Sequence, residues 1–377
     1  MWEVLFALSL FGVFFAYVGY PLSLLLISLV RTHEVARAPF TPLATLIITA
    51  CNEEKRIREK LENTLSLDYP EGCLQILVAS DGSTDATCAI VREYAERGVE
   101  LLALPERRGK EFAQKDAVAT ARGDILVFSD VATRLEPCGV REIVANFADP
   151  AVGCVSSVDK VMGQDGRPSG EGAYVRYEMW LRALESKVHS LVGLSGSFFA
   201  ARRNVCRDFS GEVQSDFSTL LNSLKIGLRG VSDPRAVGFY LDVVDSRREF
   251  ERKARTVLRG LTVFFGNLGF LNVFHYGLFS YQYFCHKLLR WLVPGFLALA
   301  LVANAALAPG SAVYAMLLLA QFVLYSMALL GWFRKDLLSR SLFKIPTYFM
   351  AVNAAILVAW WRFLSGERLV MWTPSER

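Results

Sequence analysis

The chain has 377 residues, enough for one large domain or two smaller ones, and hydrophobic side chains make up 53% of it. That fraction is higher than a soluble enzyme usually needs, so we expect membrane segments. With 41 basic and 37 acidic side chains, the net charge of +4 is too small to indicate nucleic-acid binding, and no stripe of basic and aromatic residues favours it.

The N-terminal run Trp2–Val30 is nearly uncharged and long enough to cross a membrane at about 1.5 Å per residue. Residues 1–31 are therefore predicted to form a transmembrane helix. A cleaved signal peptide is the alternative, because Ala36-Arg37-Ala38 has the small-x-small form, but the apolar run is long for one and no basic residue precedes it. Arg31 and Arg37 follow the span, so the positive-inside bias places the next residues in the cytosol.

Between residues 43 and 260 the pattern changes to short apolar runs separated by helical stretches. The alternation of strand and helix predicts one α/β domain with a mainly parallel sheet that binds ligands at the carboxyl ends of its strands. Charged, amphipathic Glu53–Leu65 is the clearest helix. The predicted strands are Leu43–Thr49, Gln75–Ser80, Glu100–Ala103, Ile125–Phe128 and Val152–Val158.

The C-terminal part of the sequence is apolar again. Residues 261–290 mix aromatic with polar side chains, which favours amphipathic helices lying in the membrane interface. Residues 291–364 are predicted to form transmembrane helices, and residues 365–377 a tail. Three runs of near-spanning length lie in this region, at about Trp291–Ala308, Ala312–Phe333 and Ile345–Leu364.

Loop charges predict the topology of these spans. Pro309–Ser311 carries no charge and is expected outside, whereas the basic residues between Arg334 and Lys344 are expected inside. Four spans would leave Arg362 and Arg368 at the outer end, against the same bias. The last run is therefore either a span or a re-entrant or interfacial segment.

Polar side chains follow three of the predicted strands. Asn52-Glu53-Glu54 follows the first, Asp81-Gly82-Ser83-Thr84-Asp85 the second, and Asp130 ends the fourth, while Gly109-Lys110 opens a helix. A turn with a helix cap explains Ser83 and Asp85 but not two aspartates in matching places after apolar strands. Backbone N–H groups, a Gly-Lys pair and an acidic strand end together suit a diphosphate with a divalent ion.

These motifs resemble, in order and spacing, those of family 2 glycosyltransferases, over about residues 43–260. The resemblance implies a GT-A fold, a Rossmann-like mainly parallel sheet, joined to one N-terminal and about three C-terminal transmembrane helices. It also implies a UDP-sugar donor, with Asp81 contacting the uracil, and a divalent cation, Mg²⁺ or Mn²⁺, at Asp130. The residues implied to bind this donor are Asn52, Glu53, Asp81, Lys110 and Asp130.

The same resemblance implies two catalytic residues. Asp216 matches the position of the base that deprotonates the acceptor hydroxyl, and Arg255 matches the arginine of the family's Gln-x-x-Arg-Trp element. The sequence also departs from the family pattern. Ala132 stands where a second metal-binding Asp or Asn is usual, and Thr256 replaces the Trp.

The resemblance therefore implies an inverting transfer to a saccharide chain or a lipid-linked acceptor, in polysaccharide or glycolipid synthesis. The expected location is an inner or plasma membrane, in contact with membrane lipids, with the catalytic domain cytosolic. The alternatives are transfer of a single sugar to a lipid carrier and an inactive nucleotide-sugar-binding scaffold. Glu171-Gly172, Tyr174 and Trp180 are predicted either to line an acceptor groove or to pack a helix on the sheet.

Overall fold

A computed structural model describes residues 1–162, 173–241 and 246–369. The chain divides into two compact units, which we call the α/β unit (residues 26–244) and the helical unit (residues 1–25 and 245–368). Glu171-Gly172 and the end of the C-terminal tail lie outside the described residues.

The α/β unit contains an eight-stranded sheet in the order β3-β2-β1-β4-β7-β6-β8-β5. Neighbours β1, β2, β3 and β4 run parallel, as do β6 and β8, whereas β7 and β5 pair antiparallel, so the predicted mainly parallel sheet is confirmed. The strands are β1 (Ala44–Ala50), β2 (Leu74–Asp81), β3 (Val99–Leu104), β4 (Ile125–Asp130), β5 (Arg134–Leu135), β6 (Val152–Met162), β7 (Phe198–Arg202) and β8 (Arg229–Leu241).

The described helices are α1 (Trp2–Phe14), α2 (Tyr20–Val30), α3 (Ile57–Leu65), α4 (Thr87–Arg92), α5 (Lys110–Thr120), α6 (Gly139–Val144), α7 (Ala173–Val188), α8 (Ser215–Lys225), α9 (Ser246–Phe265), α10 (Val273–Tyr276), α11 (Leu278–Tyr283), α12 (Arg290–Leu307), α13 (Ala312–Phe333) and α14 (Ser341–Leu364). Short π-helical segments join α1 to α2 and α11 to α12. The predicted helix Glu53–Leu65 is shorter than expected, because residues 53–56 form a hydrogen-bonded turn before α3 begins.

Helices cover both faces of the sheet, which explains why its central strands are apolar along their length. All seven residues of β1 are buried. On one face Leu46 and Ile48 share a core with Leu61 of α3, and on the other Ile47 shares a core with Ala117 of α5. The parallel register places Thr49 beside Ala79 and Asp130, so the loops after β1, β2 and β4 leave the sheet at one edge.

The helical unit contains helices long and apolar enough to cross a membrane. The described chain has four such candidates, Trp2–Val30, Leu278–Gly310, Ala312–Phe333 and Ser341–Leu364. The second begins well before the predicted start at Trp291, because residues 278–290 continue into the same long helical segment. The predicted interfacial location of residues 261–290 stays a prediction. Two of their polar side chains are buried within this unit: Gln282 is fully buried, and the buried Arg290 guanidinium lies 5.5 Å from the centre of the Tyr17 ring.

Candidate active site

The loops after β1 and β2 are joined by hydrogen bonds. Asn52, at a positive φ of 54°, donates its backbone N–H to Ser83 Oγ at 3.1 Å and accepts the Thr84 N–H at 2.8 Å. The Glu54 N–H donates to Asp85 Oδ2 at 3.0 Å. This network gives Asn52 and Asp85 a structural role, while the prediction that Asn52 contacts the donor stays a prediction.

Glu53 is 5% exposed and forms a two-pronged ion pair with Arg56, at 2.7 and 2.9 Å. Burial raises the pKa of its carboxyl, and the Arg56 charge opposes that rise. The carboxylate oxygens are therefore already engaged at the start of α3. The predicted role of Glu53 in donor binding would therefore be exerted through the shape of this turn. It stays a prediction.

Asp81 ties the end of β2 to the start of α5. Its carboxylate accepts the backbone N–H groups of Arg108 and Gly109 at 2.8 and 2.9 Å, and the residue is 3% exposed. Gly82 is required beside it, because φ is +58° and an added Cβ would lie 2.4 Å from the Arg107 backbone nitrogen. Asp81 therefore shapes the loop that presents Lys110.

Lys110 and Asp130 meet at the predicted edge of the sheet. The Lys110 ammonium is paired with Asp130 and donates to the Gly196 carbonyl at 2.9 Å. Lys110 is 8% exposed, whereas the Asp130 side chain keeps 26% of its surface accessible. A buried cation fixed beside an accessible carboxylate suits the recognition of a diphosphate with its counter-ion.

Asp216 lies close to Gly196, the residue whose carbonyl accepts a hydrogen bond from Lys110. It lies in the first turn of α8, whose N-cap is Gln214. The Gln214 side chain donates to Asp216 Oδ2 at 3.1 Å. A Cβ added to Gly196 would stand 3.2 Å from that same oxygen. Asp216 and the Lys110–Asp130 pair therefore converge on Gly196.

The residues of the candidate site fit a divalent ion that is bound mainly by the diphosphate of the donor. No group of three His, Cys, Asp or Glu side chains that would form a protein-only metal site occurs among the described residues. Asp130 supplies one accessible carboxylate, and Ala132 supplies no ligand. Mg²⁺ is commonly bound by one or two carboxylates together with substrate phosphates and water, so Asp130 with a diphosphate is a sufficient ligand set.

Arg255 belongs to the helical unit, on α9. Burial lowers the pKa of its guanidinium, and the charges of Arg259, Arg252 and Arg362 add to that effect. Glu251 opposes this shift, and Arg252 and Arg362 are themselves paired with Glu249 and Glu367. The predicted contact of Arg255 with the departing diphosphate stays a prediction.

Two supporting side chains were missed by sequence reasoning. Lys60 on α3 is 2% exposed and donates to Ser129 Oγ at 2.7 Å and to the Thr133 carbonyl at 2.5 Å, on either side of Asp130. Burial lowers its pKa to about 7, and the Asp130 charge opposes that shift. Asp159 accepts the hydroxyls of Ser195 and Ser197 at 2.6 and 2.7 Å, which fixes the loop around Gly196. A lone Lys or Asp within an ordinary helix or strand pattern carries no sequence signal for such a role.

Known proteins match the chain in part. Residues 45–209 match the family described as Glycosyl transferase family 2. The chain is 29% identical over 128 residues to the beta-monoglucosyldiacylglycerol synthase of Synechocystis sp., covering 33% of this chain and 26% of that protein. It is 27% identical over 259 residues to an N-acetylglucosaminyltransferase of Mesorhizobium japonicum, covering 62% and 60%. The chain thus spans less than two thirds of the length of either relative.

The fold is similar to that of the mannosyltransferase PcManGT from Pyrobaculum calidifontis, solved in complex with GDP-Man and Mn²⁺. The TM-score is 0.76 at 24% identity, over 98% of this chain and 100% of the other. This likeness and the mainly parallel sheet confirm the predicted GT-A fold. The matched residues 45–209 include the loops at Asn52, Asp81 and Asp130, so the part of the chain that carries the candidate site is similar to glycosyltransferase family 2.

Proposed function

We propose that the protein moves a sugar, with inversion, from a UDP-sugar to a saccharide chain or a lipid-linked acceptor at the cytosolic face of a membrane. The convergence of Asp216, Lys110 and Asp130 on Gly196 carries this proposal. It brings a candidate base and a candidate diphosphate site to one loop of the α/β unit. An inverting transfer needs these two functions on opposite sides of the reacting carbon.

In the proposed reaction the acceptor oxygen attacks the anomeric carbon as the bond from that carbon to the donor phosphate breaks. Asp216 takes the proton of the acceptor hydroxyl, and the nucleoside diphosphate leaves with the bonding electrons. Lys110 stabilises the negative charge on the leaving group, and we assign the same role to Arg255. No covalent enzyme intermediate is needed.

A divalent ion, when bound, supplies positive charge to the leaving diphosphate. Asp130 would hold it from the protein side, and the Lys110 ammonium beside Asp130 would orient that carboxylate. The Mn²⁺ in the PcManGT structure makes Mn²⁺ the first ion to test, with Mg²⁺ second.

The relatives support an acceptor that carries sugar or lipid. One is a synthase of a glucosyl diacylglycerol and the other transfers N-acetylglucosamine. We therefore propose polysaccharide or glycolipid synthesis, with membrane lipids in contact with the candidate spans. Transfer of a single sugar to a lipid carrier is the second candidate.

The proposal is tested with the full chain purified in detergent. UDP-glucose, UDP-N-acetylglucosamine and GDP-mannose are offered with a lipid extract and Mn²⁺, and both released nucleotide and product size are measured. One donor is expected to release nucleotide and to yield a larger saccharide or glycolipid. Binding of a donor without turnover under every condition would instead support the scaffold alternative.

A further inference from the structure

A cavity of about 210 Å³ lies beside the loop that follows Asp130. Side chains from α3, from that loop and from β8 line it, including those of Glu59, Lys60, Arg134, Phe239 and Tyr240. Neither Lys110, Gly196 nor Asp216 is among the described residues that line it. The cavity is therefore adjacent to the candidate reaction site, and it shares Lys60 and Ala132 with the surroundings of Asp130.

The cavity is held open by hydrogen bonds between α3 and the loop. Lys60 bonds to Ser129 and Thr133, as described above. Asn63 donates to the Leu135 carbonyl at 2.9 Å and accepts the Leu135 N–H at 2.8 Å. The opposite wall is formed by β5 and β8. These two strands are held together by antiparallel backbone pairing, with Arg134 opposite Phe239. A preformed cavity lowers the entropic cost of binding a ligand.

The lining carries charges of both signs. The Lys60 ammonium already has two oxygen partners, and the Arg56 guanidinium at the rim is paired with Glu53. Glu59 adds a negatively charged hydrogen-bond acceptor. Arg134 adds an exposed guanidinium, which donates hydrogen bonds to hydroxyl oxygens.

Two aromatic side chains, Phe239 and Tyr240, complete the lining. Aromatic faces bury the C–H surface of a small ring, while charged and amide groups around it hydrogen-bond to hydroxyls. The lining also includes Thr133, whose hydroxyl oxygen is buried without a hydrogen-bond partner among the described residues. This combination of partly apolar walls and several polar groups suits a sugar ring.

We propose that this cavity is an acceptor subsite that binds one pyranose ring of a saccharide. The proposal rests on the proposed glycosyl transfer and narrows its acceptor to one that already carries sugar. The segment from Asp130 to Arg134 connects the subsite to the Asp130 carboxylate, which we propose holds the ion of the donor. A sugar ring bound in the cavity therefore extends away from the hydroxyl that reacts. The subsite would then contribute to acceptor binding and not to donor binding.

The test uses the full chain in detergent with three free saccharides as probes: glucose, N-acetylglucosamine and mannose, each also as its β-1,4-linked disaccharide. Saturation-transfer NMR measures binding to the wild type, Tyr240→Ala, Arg134→Ala and the control Arg92→Ala, a change at an exposed site on α4. At least one probe is expected to bind the wild type and the control alike. Each cavity variant should weaken that binding about tenfold and leave UDP affinity within about twofold.

Kinetics with the active donor then separate the two proposals. If the wild type transfers sugar, the cavity variants should raise the acceptor KM and leave the donor KM unchanged. Unchanged acceptor KM and unchanged probe binding would overturn the subsite while leaving the transfer intact. A raised donor KM would also overturn it, as would failure of every probe to bind the wild type. If no donor is turned over but Tyr240→Ala weakens probe binding about tenfold, the proposed transfer fails and the saccharide site stands.

Discussion

At the scale of single residues, Asp216 decides whether the site performs base catalysis. Its carboxylate faces Gly196 and accepts the Gln214 side-chain amide, and an Asn at this position keeps one acceptor oxygen and the same shape. We expect Asp216→Asn to reduce transfer by roughly 10² to 10⁴-fold, the usual contribution of a general base. Donor affinity should stay nearly unchanged, because the base acts on the acceptor. The rate and donor Kd are measured side by side.

The matched control is Asp208→Asn, which changes an exposed aspartate outside the site and should leave the rate unchanged. Turnover of a folded Asp216→Asn variant at near the native rate would remove Asp216 as the base.

Asp130→Asn should behave differently, because Asp130 acts on the diphosphate in both ground and transition states. It should weaken donor binding and raise the metal concentration required.

Ala132 is the second residue whose chemistry can be tested directly. A single carboxylate, Asp130, faces the proposed ion, and Ala132 lies two residues further along the same loop. Ala132→Asp should lower the Mn²⁺ concentration for half-maximal activity, because it adds an oxygen ligand and a negative charge. Ala132→Asn serves as the neutral control and should give a smaller shift. An identical Mn²⁺ requirement in all three proteins would place the ion elsewhere.

At the scale of elements, sequence reasoning found the strands that stand out as separate apolar runs. β1, β2, β3, β4 and β6 were predicted within four residues at each end, because each is an apolar run between polar turns. β8 was missed since it contains Asp233 and Pro234, and the five-residue β7 has no alternating pattern. Both are specified by their partners in the sheet, a tertiary effect that local patterns do not record.

The same limit applies to the site. Asp81 and Asp130 were found because they end apolar strands, and Asp216 and Arg255 were found only through the family resemblance. Lys60 and Asp159 support the site from within ordinary elements, so only the fold brings them to it. Contacts made across the sheet edge cannot be read from spacing along the chain.

The link between β2 and α5 gives a prediction for Asp81. Asp81→Ala leaves the Arg108 and Gly109 N–H groups without their acceptor, and the unpaired N–H of the buried Gly109 alone costs about 1–3 kcal/mol of stability. The loop that presents Lys110 should loosen, so UDP affinity should fall strongly and the melting temperature should drop. Calorimetry and thermal unfolding measure both. Unchanged UDP affinity in a destabilised protein would confine Asp81 to a structural role.

The end of α7 gives a prediction about pH. Burial lowers the pKa of His189 to about 4 from an ordinary 6.5, and the nearby charges of Arg31, His33 and Arg229 act in the same direction. The unfolded chain therefore binds a proton at pH values where folded His189 stays neutral. The contribution of neutral His189 to the free energy of unfolding is therefore fully present above about pH 6.5, and it is lost as the pH falls toward 4.

His189→Gln removes this titration and should flatten the fall in melting temperature between pH 6.5 and 4.5. His275→Gln, which changes an exposed histidine of the helical unit, is the control and should keep the wild-type slope. If His189→Gln shows the full wild-type slope, other groups govern acid sensitivity.

At the scale of the whole molecule, membrane topology follows from the four candidate spans. If Trp2–Val30 places the α/β unit in the cytosol, then Leu278–Gly310 leads outward and Ala312–Phe333 leads back. The uncharged turn at Pro309–Ser311 then lies outside and the basic segment near Arg340 lies inside, as loop charges predict. Only the last helix, α14, conflicts with this bias, since Arg362 lies in its last turn and Arg368 follows it.

Cysteine labelling with a membrane-impermeant maleimide resolves the conflict. Ser311→Cys should label from outside intact cells, and Arg340→Cys only after permeabilisation. The partly exposed native Cys73, Cys88 and Cys138 of the α/β unit serve as the internal cytosolic marker. Labelling of Ser311→Cys only after permeabilisation would overturn this span order.

Ser365→Cys, placed directly after α14, discriminates between the two readings of the last helix. The 24 residues of Ser341–Leu364 are long and apolar enough to cross, and the Arg362–Glu367 ion pair lowers the cost of placing Arg362 at the outer surface. We therefore expect Ser365→Cys to label from outside, together with Ser311→Cys. Labelling together with Arg340→Cys would show that α14 returns to the cytosolic side as a re-entrant or interfacial helix. In that case the positive-inside bias outweighs apolar length in this chain.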